Sequence, residues 1–390
     1  MNNKRNFGKN QQASTRRGFI KSSATGMSAF WMGLGSLSGL ANANNDSTSD
    51  KKLGIALVGL GGYSGGQLAP ALQQTQHCYL AGIVTGTPAK EKVWQDKYGV
   101  PVENTYNYKN FDAITDNKAI DIVYVVLPNS MHAEYTIRAA QAGKHVISEK
   151  PMAVSVAECQ QMIDATNKAG VKLGIGYRLH YDPFNLEMMR LGQKKIYGKV
   201  SGVEAEFRFK MNDLSQWRAH KELAGGGPLM DLGIYCIQGC IYTLGELPTS
   251  ISARDTTIDK KAWTSVEGSL DVTMKFASGA VTHFKTSYEK EYTGKLIATA
   301  EKGEFGLMPA FIYNGLKGYT PEGPLQIQGL NQQAAQMDAF ALNVMNNTKI
   351  LVPGEMGMRD MFIIEKAYES MRKGGTEVSL AGIPQVQQLV

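Results

Sequence analysis

The sequence predicts an α/β protein in two parts: a doubly wound parallel sheet, then an α+β region on an open, mainly antiparallel sheet. Three observations carry this. Apolar runs alternate with helical stretches from Leu53 to Tyr177, as in a parallel sheet covered on both faces. Beyond Tyr177 the alternation shortens to period two, the pattern of half-buried antiparallel strands. The 390 residues, 43% hydrophobic and 19% charged, have an ordinary globular balance and length enough for two cores.

Residues 1–43 read as an export signal. Lys4, Arg5, Lys9, Arg16, Arg17 and Lys21 stand there without an acid, a short apolar stretch follows from Met27 to Leu40, and Ala41-Asn42-Ala43 supplies a cleavage site. The paired arginines in Thr15-Arg16-Arg17-Gly18-Phe19-Ile20-Lys21 point to the twin-arginine route, with its translocase as export partner and the periplasm as destination. The apolar stretch is broken by Ser and Gly and falls short of the ~20 residues of a membrane span, so no membrane attachment is expected after its removal. Taking those six cations from 41 basic residues leaves 35 against 35 acids. A neutral body lacks the electrostatic footprint of a nucleic-acid binder.

Residues 44–52 form a polar linker. The first domain, residues 53–175, has buried strands at 53–60, 78–84, 121–127, 145–148 and 172–177, with its clearest helices at 134–141 and 156–168. In the second, residues 176–390, Val203 to Lys210 alternates as a strand, and further strands are expected in 264–276, 280–289 and 295–307. A helix is expected at about 229–244, and helices near 332–346 and 356–372 close the chain and pack back on the first domain. Cys78, Cys159, Cys236 and Cys240 are expected to be buried and reduced, because the last two lie one helical turn apart, a rise of ~6 Å that suits a disulfide poorly. With no C-x-x-C, no H-E-x-x-H and scattered histidines, no metal site is expected.

Gly59-Leu60-Gly61-Gly62-Tyr63-Ser64 follows the first strand and opens a helix, a G-x-G-x-x-S pattern. Gly59 permits the tight turn and Gly61 lets backbone approach a pyrophosphate at the helix N-terminus, which makes 53–175 a Rossmann dinucleotide-binding domain. The acid that normally holds an NAD ribose is missing from the end of the second strand. That strand ends Ile83-Val84-Thr85-Gly86-Thr87, with Lys90 next, and a hydroxyl beside a cation suits a 2′-phosphate; NADP is expected rather than NAD. Glu149-Lys150-Pro151 ends a buried strand, at the sheet edge where ligands bind, and Pro151 accepts a cis bond at low cost. Asp231 and Tyr235, four apart behind Gly225-Gly226-Gly227-Pro228, share one helix face.

With these motifs and Leu127-Pro128-Asn129-Ser130-Met131-His132, Gly176-Tyr177-Arg178, His180-Tyr181-Asp182-Pro183 and Gln216-Trp217-Arg218, the chain resembles the glucose–fructose oxidoreductase, inositol dehydrogenase and rhizopine-catabolism (Gfo/Idh/MocA) superfamily, nearest its periplasmic glucose–fructose branch. The resemblance covers 53–375. It implies that Lys150, Asp231 and Tyr235 act on a sugar, and that Ser64, Thr85, Lys90, Pro128, Asn129, His132, Glu149, Arg178, Trp217 and Arg218 lie near the cofactor. The function it implies is a periplasmic NADP-containing sugar oxidoreductase, oxidising an aldose at C1 to the lactone and reducing a second sugar carbonyl by a ping-pong route. A tyrosine starts near pKa ~10, so Lys150 would have to stabilise its phenolate for it to act as a base. A simple NAD(P)-dependent aldose dehydrogenase and a redox-neutral glycosidase on a held dinucleotide are the alternatives. A tightly bound cofactor and a homodimer or larger assembly are also implied.

Overall fold

The computed structural model describes residues 52–386, so the expected signal and the linker up to residue 51 lie outside the described residues. The first part runs β1 (Leu53–Val58), a π-turn (Ser64–Leu68) continuing into α1 (Ala69–Leu72), β2 (Cys78–Val84), α2 (Pro88–Tyr98), β3 (Thr105–Tyr106), β4 (Ile122–Val125), α3 (His132–Gln141), β5 (His145–Ser148), α4 (Val156–Ala169) and β6 (Leu173–Ile175). Its strands pair in parallel in the order β3-β2-β1-β4-β5-β6. The order reverses between β1 and β4, which opens a crevice at the carboxyl ends of those strands. Every residue of β1 is buried, as its unbroken apolar run demands. The two-residue β3 carries too little pattern to be read from sequence.

The second part runs α5 (Pro183–Gln193), β7 (Val200–Arg208), α6 (Lys221–Ala224), a π-turn (Leu229–Gly233) into α7 (Ile234–Leu244), then β8 (Pro248–Asp255), β9 (Ser269–Phe276), β10 (Val281–Ser287), β11 (Thr293–Ala300), β12 (Gly303–Leu307), β13 (Gly318–Thr320), β14 (Gly323–Pro324), α8 (Gln332–Met345), α9 (Gly354–Arg372) and β15 (Val378–Ser379). The sheet order is β14-β13-β12-β11-β7-β10-β9-β8-β15, antiparallel throughout except between β7 and β10. Val203, Ala205, Phe284 and Leu296 face inward beneath α7. The opposite face carries polar cross-strand pairs, among them Lys295 with Glu204 at 3.1 Å and His283 with Thr273 at 3.0 Å.

Several expectations need correction. The 295–307 stretch is a hairpin, β11 and β12, turning at Glu301-Lys302; Gly303, which opens β12, has a φ of 121° that is open to glycine. The strand expected in 264–276 begins only at Ser269, and β8, which opens on a proline, was not anticipated. The helix expected from 229 starts as a π-turn. α8 seals the first sheet through Met337, Phe340 and Ala341, and Gly174 leaves room for the Phe340 ring, which a Cβ there would approach to 2.8 Å. All four cysteines are buried and unbridged.

Candidate active site

The loops after β1, β2, β4 and β5 line a cavity of about 1050 Å³, closed from the other side by Phe207, Trp217, Arg218, Asp231, Tyr235 and Phe311. At the β1 end, Gly59 has φ 95°, and a Cβ on it would lie 2.4 Å from the Val126 carbonyl oxygen. In front of the loop, nothing lies within 4 Å of where a Cβ of Gly61 or Gly62 would sit. This bare backbone at the start of a helix is a cradle for a diphosphate. Leu60 and Tyr63 complete the lining of the loop.

Ser64 does not line the cavity. Its hydroxyl donates to the Gly59 carbonyl at 2.6 Å and braces the loop from behind. His132 opens α3. It is buried with Nδ1 and Nε2 each 2.8 Å from a carbonyl, those of Pro151 and Leu127, and so ties together two loops of the cleft without facing it. Burial pushes its ring below the ordinary histidine range, against the two carbonyls, which favour the charged form.

Thr85, Gly86 and Lys90 line the cleft at the end of β2. Tyr108 covers Gly86, where a Cβ would meet its ring at 2.8 Å, and Lys90 folds back to donate to the Leu60 carbonyl at 2.8 Å. The acids among the cavity's lining residues, Glu149 and Asp231, both stand on other loops. Leu127, Pro128 and Asn129 form the next stretch of wall, and Asn129 donates to the Ala224 carbonyl at 2.8 Å, joining the two halves. The cradle, its hydroxyl-bearing rim and the basic side chain fit a nicotinamide dinucleotide.

The third region is an ionic cluster. Lys150, followed by a cis peptide bond to Pro151, donates to the Asp231 carboxylate at 2.7 Å and to the Asp231 carbonyl at 2.8 Å. Arg218 donates to the other carboxylate oxygen at 3.1 Å, and Tyr288 to the same oxygen at 2.9 Å. Burial alone would raise the Asp231 carboxyl, but Lys150 and Arg218 hold it well below the usual range. Burial alone would lower Lys150, but Asp231 and then Tyr235 leave it above the ordinary lysine value. Both shifts favour the charged forms, an Asp231 carboxylate beside a Lys150 ammonium. The Lys150 ammonium lies 4.8 Å from the centre of the Tyr235 ring.

Glu149 is buried beside this cluster, accepting from Tyr124 at 2.7 Å and from the Lys150 backbone at 3.1 Å; burial raises its carboxyl. Trp217 stacks under Arg218, whose guanidinium carbon lies 4.4 Å from the ring centre. Arg178 reaches the same end of the cleft, 5.3 Å from the Tyr235 ring centre. Sequence reasoning missed Tyr288 and the Phe311–Tyr313 wall. Tyr288 follows a strand with no motif around it, and Phe311 offered no signal beyond hydrophobicity.

A dinucleotide cradle facing an open-sheet domain across a cleft of fixed charges defines a two-domain nicotinamide-linked oxidoreductase. Residues 53–177 match the oxidoreductase family with NAD-binding Rossmann fold, and residues 186–305 match the GFO/IDH/MocA C-terminal domain. The solved aldose–aldose oxidoreductase of Caulobacter crescentus, complexed with glycerol, is 38% identical with a TM-score of 0.82, over 85% of this chain and 100% of that one. D-xylose 1-dehydrogenase (NADP(+)) 2 of Haloferax volcanii is 26% identical over 332 residues, 82% of this chain and 98% of its own length. D-glucoside 3-dehydrogenase of Escherichia coli is 26% identical over 356 residues, 84% and 97% of the two chains. The chain belongs to the Gfo/Idh/MocA oxidoreductase family.

Proposed function

We propose that the protein is a periplasmic, NADP-containing sugar oxidoreductase that oxidises an aldose at C1 to the lactone and then reduces a second sugar carbonyl on the same cofactor. The observation that carries this is the meeting of Lys150, Asp231 and Tyr235 at one end of the cleft whose other end is the phosphate cradle. The aldose–aldose oxidoreductase relative supports the pairing of two sugars, and the NADP-linked D-xylose 1-dehydrogenase supports both C1 and the 2′-phosphate. The nicotinamide ring supplies a hydride acceptor and donor at its C4 when bound.

The chain's own residues supply the rest. Lys150 holds its ammonium against the reacting oxygen and stabilises the charge that develops there. Asp231 keeps Lys150 and Arg218 in place and accepts from the sugar's hydroxyls. As the C1 hydrogen leaves with its electron pair, the Tyr235 phenolate takes the hydroxyl proton to become the phenol, and the C1–O bond becomes a carbonyl. In the second half the same hydroxyl returns the proton to the carbonyl oxygen of the second sugar. A general base of this kind is worth ~10²–10⁴ in rate.

The test begins with protein from the periplasmic fraction, since failure to find a processed chain there would remove the export reading. Denaturing that protein is expected to release NADP(H), because Thr85 and Lys90 stand where a ribose-binding acid would be. Release of NAD alone would overturn the 2′-phosphate reading. Cofactor lost on gel filtration would favour the simple aldose dehydrogenase, the activity named for the Haloferax relative.

The sheet face away from α7 gives this protein a broad surface of polar pairs with Ile297 among them, and we place a second copy of the chain against it. Light scattering at micromolar concentration is expected to give at least a dimer. A monomer would contradict this.

A further inference from the structure

Arg178 is a buried cation, 2% exposed, with no carboxylate at ion-pair distance among the described residues. Its guanidinium is clamped instead by neutral acceptors. Nη2 donates to the Phe311 carbonyl at 2.7 Å, and Nη1 to the Ile312 carbonyl at 3.2 Å and to the Gln332 side-chain oxygen. The clamp is built with care. Phe311 holds a left-handed backbone, φ 65°, unusual for a bulky residue. The amide nitrogen of Gln332 donates to Asp182 at 3.1 Å, which turns its oxygen towards Arg178. Asp182 is itself occupied by the start of α5, accepting from Phe184 and Asn185.

One donor of this cation is left over: Nε is buried without a hydrogen-bond partner. A buried donor without an acceptor is costly and calls for a functional reason. The guanidinium stands between two rings of the cleft, 4.5 Å from the centre of Tyr313 and 5.3 Å from that of Tyr235. Lys150, 4.8 Å from the Tyr235 ring centre, is paired with Asp231 at 2.7 Å, whereas Arg178 has no carboxylate partner among the described residues.

We propose that Arg178, rather than Lys150, is the cation that carries Tyr235 through loss of its proton, with the spare Nε donor held for the phenolate oxygen. This rests on the reading of Tyr235 as the proton acceptor in sugar oxidation. It divides the work: Lys150 serves the sugar oxygen and Arg178 serves the tyrosine. Arg178 is a positioning residue, acting through Tyr235. Other charged or titratable groups around the pair are Tyr63 from the β1 loop, Glu149 and Lys150 from the end of β5, Arg218 and Asp231 before α7, Tyr242 on α7, Tyr292 ahead of β11 and Tyr313 beside the clamp. Burial alone would lower Arg178, but Tyr235, then Tyr63 and Tyr313, hold it above its ordinary value.

The test follows single-turnover reduction of NADP⁺ on the protein by D-glucose and by D-xylose, across neutral to alkaline pH. Arg178→Gln is expected to move the acid limb of the rate profile upward by about 1–3 pH units, because an opposite charge at this range shifts a partner by that much. The rate at the high-pH plateau should stay within a few-fold, and Arg178→Lys should recover part of the shift. Gln332→Met, which keeps the charge and loosens the clamp, is expected to move the limb the same way by less. A limb that stays put in Arg178→Gln while the rate falls by one factor at every pH overturns the proposal. If Arg178→Gln does not fold, an unmoved limb in Arg178→Lys and Gln332→Met does the same. Tyr235→Phe is measured alongside: wild-type rates in that variant remove the base assignment itself, and this inference with it.

Discussion

Tyr235→Phe is expected to slow cofactor reduction by an aldose at least ~10²-fold, about 2.7 kcal/mol of barrier, while cofactor stays bound. The ring is packed edge-on against Phe207 at 5.5 Å and tilted against Phe311 at 6.1 Å, and phenylalanine keeps those contacts. The loss is therefore one of proton transfer and not of shape. Lys150→Ala should cost as much or more, since it removes the ammonium facing the reacting oxygen. Combining the two should fall far short of the product of the single effects, because residues acting as one unit are not additive. Single-turnover absorbance isolates this step from product release. Turnover within a few-fold of wild type in Tyr235→Phe would make Tyr235 a packing residue.

Asp231→Ala is expected to cost stability as well as activity. The carboxylate lies between Lys150 at 2.7 Å and Arg218 at 3.1 Å, with side-chain exposures of 14% for Asp231 and 12% for Lys150. Removing it leaves two cations facing each other without their anion, a loss of about 3–5 kcal/mol for a buried pair. The pH dependence has a definite sign. The folded carboxyl is held below its unfolded value, so the stability it contributes is full above pH ~4 and fades as pH falls towards the folded value. The gap in urea midpoint between wild type and Asp231→Asn should accordingly narrow on acidification. A gap that stays constant would mean that the Asp231 charge contributes nothing.

Much of this site was legible because single residues announce it. β1, β2 and β4 are continuous apolar runs that only a covered parallel sheet accommodates, and Gly59 and Lys150 fall directly at strand ends. Asp231 and Tyr235 both reach the cleft although a π-turn, not a plain α-helix, carries the first of them. What stayed hidden depends on contacts distant in sequence. Tyr288 joins the ionic cluster across 57 residues, and the Arg178 clamp needs Phe311 and Gln332, 133 and 154 residues away. Ser64 and His132 show what motif position alone leaves open. Motif position put them in the right loops, but their hydrogen bonds point into the protein, where they brace the residues that face the cleft.

The most direct measurement uses protein reconstituted with NADP⁺, cleared of free cofactor and followed by its absorbance at the reduced-nicotinamide band. Adding D-glucose or D-xylose is expected to raise that band in a single turnover and to release a lactone. Adding a second sugar carbonyl should then bleach it, with no cofactor leaving the protein. A band that does not rise with any aldose, on protein shown to carry NADP⁺, would contradict sugar oxidation at this cleft.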